Sequence, residues 1–182
     1  MKILKSLTLT LAVLIVTIPV FSCTTAILSG KHTPDGRPVM WKHRDTGHLD
    51  NKLMYFADGR YNYIGLINSE DMEGSQVWAG TNSTGFAIMN AALYDVNLEN
   101  PTDYRDREGY VMKQALQQCA TVKDFETMLR EMDKPMGVAS TFGVIDAQGG
   151  AAYYEVDNQD FVKYDVNGNK MAPPGCRIRS SF

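Results

Sequence analysis

Cysteine is scarce in this 182-residue chain: Cys23, Cys119 and Cys176 are too few and too irregularly spaced to build a disulfide framework. Histidine is equally sparse. His32, His43 and His48 all fall early and follow no recognisable catalytic pattern, and no cysteine or histidine pair has the spacing of a zinc site. Neither a metal nor any other cofactor is therefore expected. The formal net charge is −3, and no basic run appears after the first few residues, which argues against nucleic acid or an anionic membrane surface as a partner. Internal repeats and low-complexity stretches are absent.

One apolar stretch does stand out, at the front. Lys2 and Lys5 precede an apolar run from Leu7 to Val20, and small Ser22 closes it. The run is shorter than the roughly 20 residues that a membrane-spanning helix needs, and Pro19 falls near its end. Residues 1–22 therefore read as a secretory signal peptide, and no stable membrane span is expected. The protein is expected to be exported, periplasmic or extracellular, where a disulfide is permitted but not required. Removing the 22-residue leader from 182 residues leaves 160, enough for a single compact domain over 23–182.

Cleavage after Ser22 makes Cys23 the amino terminus. An α-amine with a pKa of roughly 7.7–8.0 is partly neutral near pH 7 and can take the thiol proton, so one residue supplies both nucleophile and base. A lipoprotein signal also ends just before a cysteine and would attach lipid to that thiol. Such signals prefer a small residue two positions earlier, where this chain has bulky Phe21. Lipid anchoring at Cys23 is the alternative fate, and the two exclude one another.

Downstream of the leader, short apolar runs broken by turn signals predict strands over 24–29, 38–42, 53–56, 61–67, 76–79 and 85–90. Helical spacing then places Tyr110, Val111, Leu116 and Ala120 on one broad apolar face, with Cys119 packed on that side. Thr121-Val122-Lys123-Asp124 resembles a capping box that starts a second helix, carrying Phe125, Met128, Leu129 and Met132 and stopped at Pro135-Met136-Gly137. Strands over 140–145, 151–156 and 161–164 follow. Sheet, helix pair, sheet is the order of an α+β domain rather than of alternating βαβ units.

Two polar constellations accompany Cys23. Trp41-Lys42-His43-Arg44-Asp45 ends the second expected strand, which a hairpin returns to the neighbourhood of the nucleophile. There Asp45 can orient the terminal ammonium, while Lys42 or Arg44 can favour thiolate and anchor a carboxylate-bearing substrate; an exposed, solvated charge cluster is the plainer reading. In the segment from Trp78 to Asn90, a hairpin turn carries Asn82, whose amide N–H groups can face a developing oxyanion. The same asparagine can equally serve the turn alone, and Asn90 can be structural.

Cys23-Thr24-Thr25, Lys42-His43-Arg44-Asp45 and Gly80-Thr81-Asn82-Ser83-Thr84-Gly85-Phe86, in this order, resemble the cysteine-type N-terminal nucleophile hydrolases. The similarity is to the linear-amide branch, which holds choloylglycine hydrolases, penicillin V acylases and the acyl-coenzyme A:6-aminopenicillanate acyltransferase-like proteins. Phe142-Gly143-Val144-Ile145-Asp146 through Tyr154-Glu155 adds a later pair of family-like strands. The resemblance implies an αββα sandwich, a small N-acyl amide as substrate, and an acyl-enzyme on Cys23 that water or another acceptor resolves. Oligomeric state stays open, a homo-oligomer included.

Residue by residue, the resemblance puts Cys23, Asp45 and Asn82 in catalytic roles, and Lys42, Arg44 and Asn90 beside the substrate. Lys42 stands where the family has arginine. A later family segment that carries an asparagine reads Arg179-Ser180-Ser181-Phe182 here, with Ser181 at that position, and typical members continue further. A sandwich incomplete at its C-terminus, and with it a truncated inactive homologue or a lipid-anchored binding protein, is the alternative to an active amidase.

Overall fold

The computed structural model describes residues 23–93 and 106–168, and the backbone alone of 176–180. The expected leader and Ser181 lie outside the described residues. Among the described residues, ten strands and two α-helices follow in the order β1 (Thr24–Leu28), β2 (Val39–His43), β3 (Asn51–Phe56), β4 (Tyr63–Asn68), β5 (Ala79–Asn82), β6 (Ala87–Ala92), α1 (Glu108–Gln118), α2 (Val122–Glu131), β7 (Ser140–Ile145), β8 (Ala151–Val156), β9 (Phe161–Asp165) and β10 (Cys176–Ser180).

Strands β3 to β9 form a seven-stranded antiparallel meander, and a second sheet of three strands runs β10-β1-β2. The central strands of the meander bury both faces, and their period-2 alternation sorts the side chains between them. Ile88, Phe142, Val144, Tyr154 and Val156 pack with Val111, Leu116, Phe125 and Leu129 of the helices. Met89, Ala151 and Tyr153 pack with Ile27 of β1 and, at its edge, Met40 of β2. The result is helices on one face of the large sheet and the small sheet on the other, an α+β sandwich. Where the two sheets meet, a Cβ added to Gly143 would lie 2.9 Å from Met89 Cε and 3.2 Å from Ile27 Cδ1, so a side chain there would push on the ends of both.

Local signals explain the helix pair. Thr121 Oγ1 accepts the Asp124 N–H at 3.1 Å, and Asp124 Oδ2 accepts the Thr121 and Ala120 N–H groups at 2.9 Å, which is the expected capping box. Asp146 Oδ2, from the β7–β8 turn, accepts the Val122 N–H at 2.8 Å and so pins the same helix end to the sheet. In α1 the buried stripe is Val111, Met112, Ala115 and Leu116. Tyr110, expected on that face, is 47% exposed, and Ala120 lies beyond the helix. Cys119 is buried at the helix end, and desolvation pushes its thiol up to about 12, which fits inert packing.

The largest strand discrepancy concerns 76–79. Only Ala79 of that stretch joins β5, because the backbone before it turns toward α1: the Val77 N–H donates to Gly109 O at 3.1 Å. Asn82 to Gly85 then make the hairpin turn, with Gly85 at φ 84°, a conformation that favours glycine. Among the described residues no helix is long and apolar enough to cross a membrane.

Phe125 is fully buried, with ring centroids 5.7 Å from Phe142 and 5.3 Å from Tyr154 in edge-to-face contacts. Phe125→Ala is expected to lower unfolding free energy by about 3–5 kcal/mol, measured by urea denaturation.

Candidate active site

The register of β1 with β2 decides which side chains surround Cys23. Thr24 pairs with His43 and Thr25 with Lys42. Cys23 immediately precedes β1 and Arg44 immediately follows β2, and both line one cleft with Lys42. Side chains alternate along each strand, so Cys23 and Thr25 share a face with Lys42 and Arg44, while Trp41 and His43 point the other way and are exposed. Thr25 on this face is buried. Cys23 Sγ–H donates to the backbone carbonyl of Asp45 at 3.6 Å, which ties the start of β1 to the chain leaving β2.

Lys42 spans from the small sheet to the large one. Its ammonium donates to Trp78 O and to Asn90 Oδ1, both at 2.7 Å. These partners sit where β5 and β6 part, because their pairing ends at Ala79 and Met89. Lys has donors and no acceptor, so the bond fixes which end of the Asn90 amide is oxygen. Asn90 Nδ2 therefore faces away from the ammonium, giving one N–H to Ser140 Oγ at 3.3 Å, while Ser140 Oγ itself donates to Ala91 O at 3.0 Å. The second N–H of the amide has no partner among the described residues. Burial holds the Lys42 pKa down to about 8; the nearby thiol opposes that shift and the Arg44 charge reinforces it.

Arg44 lies half-buried beside them. Its guanidinium donates to the side-chain oxygens of Asn51 and Asn68, the latter at 2.8 Å, and rests 5.3 Å from the centre of the Trp78 ring. Burial also lowers its pKa, against the attraction of Cys23 and Glu70. Cys23, Lys42, Arg44, Asp45 and Asn90 line one cleft of about 340 Å³. Five of the six residues singled out from the sequence thus meet in one place.

The sixth does not. Asn82 is absent from the residues lining the cleft. Both of its N–H groups are spent on main-chain carbonyls, Leu116 O at 2.9 Å and Cys119 O at 2.8 Å, and its oxygen accepts from the Thr84 N–H and hydroxyl and from the Phe86 N–H. Asn82 thus closes its own hairpin and caps the end of α1, and the amide that reaches the cleft is that of Asn90. Trp78, Ser140 and Asn68 were not foreseen in roles there. Trp78 could have been suspected, since Arg44–Trp78 is a ready cation–π pair, but Ser140 and Asn68 carry no local signal.

Among the described residues no group of three or more His, Cys, Asp or Glu could hold a metal ion. The cleft instead combines a thiol, two cations, two carboxylates and an oriented amide. That set suits attack on a carbonyl carbon and stabilisation of the oxyanion that forms.

No protein-family model matches the chain, and no curated protein sequence matches it. Solved structures do. An N-acylethanolamine-hydrolyzing acid amidase ortholog from Caenorhabditis elegans superposes with a TM-score of 0.65 at 13% identity, over 88% of this chain and 70% of that one. A mutant conjugated bile acid hydrolase from Clostridium perfringens superposes with a TM-score of 0.57 at 14% identity, over 85% of this chain. The chain has the N-terminal nucleophile hydrolase fold. It spans 52% of the length of the bile acid hydrolase. At these identities the likeness establishes the architecture, and the chemistry rests on the cleft.

Asn82 makes a direct stability prediction. Its removal leaves two carbonyls and two backbone N–H groups without their partner in a buried region, at about 1–3 kcal/mol for each polar group that stays unsatisfied. Asn82→Ala is expected to lower unfolding free energy by at least ~2 kcal/mol in denaturant titration, and by more than Asn90→Ala does.

Proposed function

We propose that the protein is an exported amidohydrolase that cleaves a linear amide of a small N-acylated compound through Cys23. The observation that carries this reading is the convergence of Cys23, Lys42, Arg44, Asp45 and the oriented Asn90 amide on one cleft, in a fold shared with two amidases.

In the proposed cycle, signal peptidase removes residues 1–22 and leaves Cys23 with a free α-amine. The amine takes the thiol proton, and the sulfur attacks the amide carbonyl carbon. As the C=O bond becomes C–O⁻, the uncommitted N–H of Asn90 donates to the new oxyanion. The carbon–nitrogen bond then breaks, and the departing amine receives the proton held by the Cys23 α-amine. A thioester remains. Water, deprotonated by the same amine, attacks it and releases the acid, restoring the thiol.

Lys42 and Asp45 have separate duties. Lys42 holds the Asn90 amide in its productive orientation, and it stands where the resemblance has arginine. Asp45 follows Cys23 across the hairpin and serves to orient the terminal ammonium. Hydrolysis is preferred to acyl transfer because an exported enzyme meets water in excess and no evident supply of a coenzyme A thioester.

Protein starting at Cys23 is expected to release acid from short-chain N-acyl amides. Cys23→Ser keeps the amine but weakens the nucleophile and should lower kcat by about 10²-fold or more. Intact mass with amino-terminal sequencing of the secreted product should show an unmodified Cys23. Equal turnover by Cys23→Ser, or lipid on that thiol, would sink the reading. Asn90→Ala is expected to lower kcat by roughly 10²–10³-fold with a smaller effect on KM.

The pH profile follows from the Lys42 shift. Its ammonium is present below about 8 and lost above it, so activity should fall as pH rises through about 8. In Lys42→Arg the guanidinium stays charged, and the alkaline decline should move up by at least about one pH unit, whatever the change in maximal rate.

A further inference from the structure

We infer that Lys42 is a self-acylation site, which takes the acyl group from the Cys23 thioester as an amide on Nζ and silences the enzyme in doing so. The inference rests on the reading of Cys23 as the nucleophile and adds a second fate for its acyl-enzyme.

The Asn90 amide sets the geometry. Its oxygen accepts from Lys42 Nζ at 2.7 Å, and its second N–H is the donor to the substrate carbonyl in the proposed cycle. The two ends of one planar amide thus hold the lysine nitrogen and the acyl carbonyl side by side. The β1–β2 hairpin brings the same residues together from the other sheet: Thr25 pairs with Lys42, and Cys23 stands two residues before Thr25. Cys23 and Lys42 accordingly line one cleft of about 340 Å³.

Valence decides what this nitrogen can do. Of its four tetrahedral directions one goes to Cε, two carry the bonds to Trp78 O and Asn90 Oδ1, both at 2.7 Å, and the fourth is uncommitted among the described residues. In the ammonium that direction holds a proton. In the neutral amine it holds the lone pair, while the other two N–H groups still satisfy both oxygens, so the nucleophile forms without rearrangement. Burial brings the changeover down to about 8, against the attraction of Cys23 and with the help of the Arg44 charge. The other titratable side chains lining the cleft are Arg44, Asp45, His48 and Asp106, and none of them carries an amine. Lys42 also stands where the resemblance has arginine, a group that keeps its charge and cannot take this step.

The step balances without a co-reactant. The Nζ lone pair attacks the thioester carbonyl carbon, the carbon–sulfur bond breaks, and sulfur leaves as thiolate. The new nitrogen–carbon bond leaves Nζ with one proton in excess, which passes to the sulfur. A secondary amide on Lys42 and a free Cys23 thiol remain. The acylated nitrogen has lost its charge and keeps a single N–H, so it can no longer serve Trp78 O and Asn90 Oδ1 together. Turnover then stops with the nucleophile intact.

The test maps the acyl group. Protein starting at Cys23 is incubated with p-nitrophenyl hexanoate, an activated ester that loads the thiol whatever amide the enzyme prefers, at about pH 6.5 and about pH 9.5, on either side of the Lys42 changeover. Peptides are sequenced by mass spectrometry before and after hydroxylamine, which cleaves thioesters and spares amides. At the higher pH a hydroxylamine-stable hexanoyl group is expected on Lys42, at least about tenfold more than at the lower pH, with the Cys23 thiol free and activity lost in proportion. Cys23→Ala should cut the Lys42 label by at least about tenfold, because the ester must then reach the lysine directly, and Lys42→Arg should abolish the progressive inactivation. A thioester on Cys23 with Lys42 unlabelled, a stable label on the Cys23 α-amine instead, or a Lys42 label undiminished in Cys23→Ala would each overturn the inference. Absence of any thioester on Cys23 at either pH, with Lys42 unlabelled, would reject the Cys23 reading along with it. Mapping on the unsubstituted protein and on Cys23→Ala decides the matter if Lys42→Arg does not fold.

Discussion

The bridge from the Lys42 ammonium to Asn90 and the Trp78 carbonyl is the contact on which the site depends. It joins the small sheet, which carries Lys42 and lies beside Cys23, to the large sheet, which carries the Asn90 amide, at the point where β5 and β6 separate. A carbonyl at such a fork has lost its strand partner and needs a donor. Lys42 supplies one, and in doing so holds the Asn90 amide in the wall of the cleft that Cys23 also lines. The same burial that makes the ammonium effective there lowers its pKa, so the structural tie and the chemistry share one proton.

The two cores explain how that tie stays in register. Adjacent residues of one strand serve opposite layers: Ile88 faces the helices while Met89 faces β1, and Tyr154 faces the helices while Tyr153 faces Ile27. A slip of one residue would send each to the wrong layer. Gly143 lies within this close packing, where a side chain would press on Met89, Tyr153 and Ile27. Lys42 thus reaches its partners across a gap set by packing elsewhere.

Features governed by neighbours in the chain were legible in the sequence. The capping box at Thr121, the β1–β2 hairpin and the turn from Asn82 to Gly85 each depend on residues a few positions apart, and each forms. Cys23, Lys42, Arg44 and Asp45 could be grouped because a single hairpin brings them together. The choice between two asparagines could not be read locally. Asn82 has the better turn context, yet the carbonyls at the end of α1, more than thirty residues away, claim its amide. Asn90 is set by Lys42 and Ser140, which are 48 and 50 residues distant. The shift of β5 has the same origin, since the Val77 N–H goes to a carbonyl in α1 that no strand pattern announces.

The position of β1 between β10 and β2 bears on how the site comes into being. Thr24 pairs with His43 on one side and with Ser180 on the other, so the strand that presents Cys23 is flanked by one near segment and one more than 150 residues away in sequence. Closing so long a loop is slow compared with closing the hairpin. During synthesis β1 would acquire one neighbour early and keep its other edge open until residues 176–180 arrive. A thiol-bearing strand with an open edge invites pairing with another chain, and the long-range β1–β10 ladder is what ends that exposure.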